Sequence, residues 1–147
     1  MKHSLIATLT ISLFIGCSSD SKMMKTFESN INNRFSEIER KGLEIKKTEL
    51  SDRETYNEIL KYHQERWQKS AGYSLSFIGT ESEEKYKKMS EEDFRLVNES
   101  LKELEKAKGE KRYFKIEYLK IQSIDTLHYG VSYFDENQEL IKQIDKK

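Results

Sequence analysis

The first apolar positions of the chain, Leu5, Ile6, Leu9, Ile11, Leu13, Phe14 and Ile15, crowd into one uncharged run behind Lys2 and His3. A basic start followed by a short apolar core is the layout of a secretory signal peptide. A membrane-spanning helix needs about 20 apolar residues, and neither this run nor any later one is that long, so no integral membrane protein is expected. After a small polar stretch from Ser18 to about Lys25, Met24, Phe27, Ile31, Phe35 and Ile38 recur at helical steps, giving a stripe that Gly42 would end. The segment GLEIKKTELS is ambiguous. Ser51 and Glu54 then stand at capping-box spacing, and Tyr56, Ile59, Leu60, His63 and Trp67 share one face of a second helix running toward Gly72.

In YSLSFIGT, residues 73 to 80, Tyr73, Leu75 and Phe77 alternate with serines, which predicts a short half-buried strand. Ser90 before Glu91, Glu92 and Asp93 predicts the N-cap of a third helix, with Phe94, Val97, Leu101 and Leu104 as its seam. Lys106 and Lys108 suit its C-terminus and Gly109 closes it. Beyond Gly109 the period shortens to two. RYFKIEYLKIQS puts Phe114, Ile116 and Tyr118 on one face and then changes phase to Leu119 and Ile121, predicting a bulge or a strand covered on both sides. DTLHYGVSYF alternates Leu127, Tyr129, Val131 and Tyr133, and DENQ turns the chain into ELIKQI.

The fold class that follows is α+β: N-terminal helices and one long central helix packed on a C-terminal antiparallel sheet, a three-stranded meander plus an extra strand. The expected organisation is a signal peptide over 1–16, a lipidated tether over 17–25 and a single α+β domain over 26–147, with the helices on one face of the sheet. The order of elements and the closing YFDENQELIKQI hairpin resemble small bacterial domains of the cystatin-like and NTF2-like kind. That resemblance is to an arrangement and carries no motif, so it transfers no active-site residue.

Composition narrows the function classes. The chain has 26 basic and 26 acidic side chains, so no net field draws it to nucleic acid. Charged residues make up 35%, but both signs are mixed and the apolar period persists, which reads as solvated helix faces rather than disorder. One cysteine permits no disulfide within the chain.

That cysteine follows the apolar run directly. Phe14, Ile15, Gly16 and Cys17 resemble the lipobox of bacterial lipoproteins, with Phe14 where that family most often has leucine. The resemblance implies cleavage before Cys17 and fatty acylation (palmitate-type chains) of its sulfur and new amino group. Two or more acyl chains hold a protein durably at a membrane. Ser18 follows, where enteric bacteria place aspartate to retain a lipoprotein in the inner membrane. The resemblance therefore implies the outer membrane, or the cell surface in a single-membrane bacterium. The alternative is an ordinary signal peptide cut elsewhere, with a spare cysteine.

Material for chemistry is sparse. His3 leaves with the signal peptide, and His63 and His128 have no metal-ligand spacing. His63 lies on the apolar helix face as a core or boundary residue, and His128 falls on the strand face opposite Tyr129. ESEEKYKK and SEEDF are carboxylate-rich but read as solvated, and acid/base pairs need one desolvated carboxyl. No GxSxG, phosphate-cradling glycine loop or Rossmann fingerprint occurs. No catalytic, cofactor-binding or metal residue is assigned. Asn98-Glu99-Ser100 reads as a sequon inside a helix, and Asp125-Thr126-Leu127 resembles a short bacterial O-glycosylation motif. Tyr113, Phe114, Tyr118, Tyr129, Tyr133 and Phe134 crowd the end of the chain, as strand propensity alone would arrange.

The leading expectation is a membrane-anchored envelope lipoprotein with a non-enzymatic binding domain, a variant being an inhibitor or immunity protein against an envelope toxin or hydrolase. Its partners would be membrane lipid through Cys17 and an envelope protein. The rival is a small NTF2-like enzyme or ligand carrier, which requires Trp67, Tyr118, Tyr129 and Tyr133 to face one cavity holding an unpaired histidine or carboxylate.

Overall fold

The computed structural model describes residues 20–34, 43–122 and 125–145, and the side chains of 20, 21, 34 and 120–129 are not described. Among these residues the order is α1 (Asp20–Arg34), β1 (Leu43–Ser51), α2 (Asp52–Ser76), α3 (Glu83–Lys106), β2 (Arg112–Gln122), β3 (Asp125–Phe134) and β4 (Leu140–Asp145). The strands form one antiparallel sheet in the order β1-β2-β3-β4. The fold is therefore α+β, with the C-terminal meander in place.

Helices cover both faces of the sheet, because the sheet carries apolar residues on both, from β2 on one side and from β3 and β4 on the other. Phe114, Ile116 and Tyr118 point to one side and join Phe134 and the α1 residues Met23, Phe27 and Ile31 in one buried cluster. Val131, Tyr133 and Ile144 point to the other and pack with Ile59, Leu50, Tyr56 and Tyr62. Full burial of a side chain such as Phe27 or Ile59 contributes about 1.5–3 kcal/mol, enough to fix both helices. α1 already occupies part of the stretch expected as tether, and its Met23 is fully buried. Phe35, Ile38 and Gly42 lie outside the described residues.

The extra strand is β1, the ambiguous GLEIKKTELS segment, and residues 73–80 form no strand. α2 runs through Gly72 to Ser76, and Gly79, at φ +78°, ends the turn that follows. Nothing stops the helix earlier: space around Gly72 is open, and the alternating side chains find no sheet to bury them, Leu75 being 72% exposed. The capping box stands as expected, Ser51 Oγ accepting from Glu54 N at 3.2 Å while Glu54 Oε2 accepts from Ser51 N at 2.7 Å. Ser90 is not a cap. It lies inside α3, whose N-cap is Ser82, without a side-chain cap bond. α3 ends at Lys106, and Gly109 follows at φ +81°.

The expected change of phase in β2 is a register shift between Tyr118 and Leu119, where Tyr118 pairs with Gly130 and Leu119 with His128. Tyr129 is the extra residue in β3. Tyr118 crosses over Gly130 and donates from Oη to Asp145 Oδ1 at 2.7 Å.

One end of the molecule gathers several element ends. Asp52 N bonds Lys111 O at 2.9 Å and Asp52 Oδ2 accepts from Lys108 N at 3.3 Å, tying the start of α2 to the end of α3. Lys111 pairs with Glu136 at 2.8 Å and Lys22 with Glu139 at 3.2 Å, so the β3–β4 turn and the start of α1 sit there too. From this end α2 passes over the sheet, with Tyr56 against Tyr113 and then Glu58 bonded to Tyr133. Its later contacts are with α3: Arg66 with Asp93, Trp67 with Phe94, Tyr73 with Tyr86. The 25 residues of α2 rise about 37 Å at 1.5 Å per residue, which carries the α2–α3 apex to the far end.

Candidate functional site: two clefts and a helical apex

The first cleft, about 370 Å³, lies between α2, α3 and β4. Tyr56, Ile59, Leu96 and Ile141 give it an apolar bed; His63, Glu99, Glu103 and Lys142 supply the charge and polarity around it. His63 is only 4% exposed. Its Nδ1 lies 2.7 Å from Ser100 Oγ and 3.2 Å from Leu96 O. Ser100 Oγ spends its proton on Leu96 O at 2.9 Å, so it accepts from Nδ1–H, which assigns the neutral tautomer with a bare Nε2 lone pair. That Nε2 is buried without a partner. Burial, and then the Lys142 ammonium, lowers the pKa of His63 below the ordinary histidine value. Ser100, the last residue of the Asn98 sequon, is thus a buried structural partner.

Lys142 is half-buried on β4. Burial first, and repulsion from Arg66 second, lowers its pKa. Glu99 attracts it without forming an ion pair, and among the described residues no other carboxylate pairs with it; Arg95 takes Glu99, and Lys106 takes Glu103 at 2.7 Å. Asp93, 2% exposed, is held by Arg66 Nη2 at 2.6 Å across the helix pair.

The second cleft, about 300 Å³, lies between α2 and the sheet beside Glu58, Lys115 and Tyr133. Tyr133 Oη donates to Glu58 Oε2 at 2.7 Å, and Lys115 bridges Glu58 at 2.9 Å and Glu117 at 3.4 Å. Burial, reinforced by the Glu58 bond, drives the Tyr133 pKa upward. Burial opposes the charge on Lys115, but its two carboxylates outweigh this and its pKa rises. Both groups are locked in their resting protonation states. Tyr56 behaves likewise, burial and Tyr113 pushing it up to about 12.

The aromatic set does not converge. Tyr118 packs on Phe27 on the α1 face, Tyr133 faces α2, and Trp67 lies against Phe94 in the helix pair, with centroids 5.2 Å apart. The side chains of Tyr129 and His128 lie outside the described residues, as does Cys17. Among the described residues no group of three or more His, Cys, Asp or Glu stands together to hold a metal, and no helix is long and apolar enough to cross a membrane.

At the apex, Leu75, Ile78 and Tyr73 are 72%, 64% and 50% exposed, above a Phe77–Tyr86 stack at 4.6 Å. Sequence reading missed this patch by assigning Leu75 to a half-buried strand. It missed Lys142 because ELIKQI reads as ordinary alternation. Compared with known proteins, the chain matches no family model, no curated sequence and no solved structure.

Proposed function

We propose that this chain is an envelope lipoprotein, acylated at Cys17, whose domain binds a partner rather than performing chemistry, with the outer membrane as its favoured location. The observation that carries the binding part is the state of the buried polar groups. Tyr133 is held protonated by Glu58, and Lys115 by Glu58 and Glu117. General bases and nucleophiles need the opposite arrangement, with a tuned group beside the proton it moves.

The surface that suits a partner is the apex. Its exposed apolar residues stand at the end opposite the start of α1, and Cys17 precedes α1 by only a few residues. A lipid at Cys17 would hold the α1 end at the bilayer and present Leu75 and Ile78 away from it, toward an envelope protein; an inhibitor or immunity role is the sharper form. The test is metabolic labelling of wild type and Cys17→Ser with a fatty acid analogue, followed by fractionation. Wild type should label and sediment with membranes, and the variant should do neither. Equal labelling would overturn the anchor.

A second reading, the ligand carrier, is favoured by one observation: Lys142, which forms no ion pair among the described residues, and the bare Nε2 of His63 belong to the same cleft.

A further inference from the structure

The two half-buried lysines on this side of the sheet are treated differently. Lys115 is bracketed by Glu58 and Glu117. Lys142 has no hydrogen bond or ion pair among the described residues, although it lines an apolar cleft. A partly desolvated cation without a counter-charge is costly. Glu99 attracts Lys142 from beyond ion-pair distance while Arg95 holds it, Lys106 holds Glu103, and Arg66 holds Asp93. Among the described residues no carboxylate closes an ion pair with Lys142, at a place where Tyr56, Ile59, Leu96 and Ile141 offer an apolar bed. In the same wall His63 Nε2 is also unpartnered; as a lone-pair acceptor it takes a donor, which leaves an anionic headgroup to Lys142. The volume, about 370 Å³, is within the range of small-molecule sites.

We propose that the cleft between α2, α3 and β4 is a binding site for a small amphiphilic monocarboxylate, with Lys142 as counter-charge to the headgroup and Tyr56, Ile59, Leu96 and Ile141 as the bed for the tail. This inference rests on the ligand-carrier reading and assigns its ligand class. Binding neutralises Lys142 inside the cleft, where an ion pair is worth more than at the open surface. Tail burial adds about 0.8 kcal/mol per methylene removed from water. No covalent step is involved.

The test uses the full chain bearing Cys17→Ser, so acylation cannot supply a competing tail, with dodecanoate and its uncharged counterpart dodecanol as probes in calorimetric titration. Dodecanoate should bind at least tenfold more tightly than dodecanol and raise the melting temperature. Lys142→Met should abolish that difference while leaving dodecanol binding intact. The variant should fold, since it removes an unpaired cation, and Lys142→Arg, which keeps the charge, should preserve the preference. Equal binding of the two probes to wild type would overturn the carboxylate assignment and leave the carrier reading standing. Binding of neither would overturn both. Neither result bears on the anchor, which labelling decides separately.

Discussion

Gly130→Ala tests how tightly the bulged centre of the sheet is packed. A Cβ at Gly130 would meet Tyr118 Oη at 2.0 Å, Tyr118 Cζ at 2.3 Å and the Ile144 carbonyl oxygen at 2.6 Å. The carbonyl belongs to the strand pairing of β3 with β4, so it cannot retreat without breaking that ladder. The ring has no free side to move to, being fully buried with Phe27 against it, centroids 5.7 Å apart. Displacing it would also break the 2.7 Å bond to Asp145. Overpacking costs about 1–3 kcal/mol and a lost hydrogen bond to a charged group about 1.5–3 kcal/mol, for a total of roughly 2.5–6 kcal/mol. In a domain of this size that lowers Tm by roughly 10 °C or more. Urea unfolding followed by circular dichroism should show a lower midpoint at unchanged slope. In a Tyr118→Leu background the same substitution should cost less, because much of its obstacle is gone. A Gly130→Ala variant within about 0.5 kcal/mol of wild type, or an equal cost in both backgrounds, would refute the account.

Acid should loosen the helix pair through His63. Its folded pKa is depressed, so above about pH 6.5, the ordinary unfolded value, it is neutral in both states and costs nothing; below that the unfolded chain takes the proton first and stability falls. His63→Leu should flatten this decline between about pH 6.5 and 5 in urea midpoints, and parallel curves for variant and wild type would contradict the lowered pKa. Leu75→Lys with Ile78→Lys should leave Tm within about 2 °C, since both side chains are exposed, while abolishing association with any apex partner; a large stability loss would mean the apex is packed rather than presented.

How much of this was legible in the sequence depends on how local each cause is. The capping box at Ser51 and Glu54 was readable because both halves lie within one helical turn. The irregularity at Tyr118 and Leu119 was readable from the phase change in β2, but its extra residue, Tyr129, lies in β3, where the alternation of Leu127, Tyr129, Val131 and Tyr133 hid it. β1 was not, for it is an edge strand: Lys46 and Lys47 stand exposed, and its apolar residues split between faces, Leu43 toward α1 and Leu50 toward α2. Lysines on an edge guard against pairing with other chains, and they also erase the alternation that would announce the strand. Asp93 looked like a first-turn acid behind Ser90, yet it is buried because Arg66 reaches it from α2, a partner no local pattern names. His63 was placed correctly in the apolar face, but Ser100 lies 37 residues away, so only the folded chain reveals which nitrogen is satisfied and which is bare. Lys142 shows the limit most sharply. Its spacing in ELIKQI is that of any solvent-facing strand residue, and what singles it out is that, among the described residues, none of the carboxylates around it closes an ion pair with it. Local pattern reports what a residue is beside in the chain; a binding site is defined by what the fold leaves unpaired, and that becomes visible only after α2, α3 and β4 have closed around it.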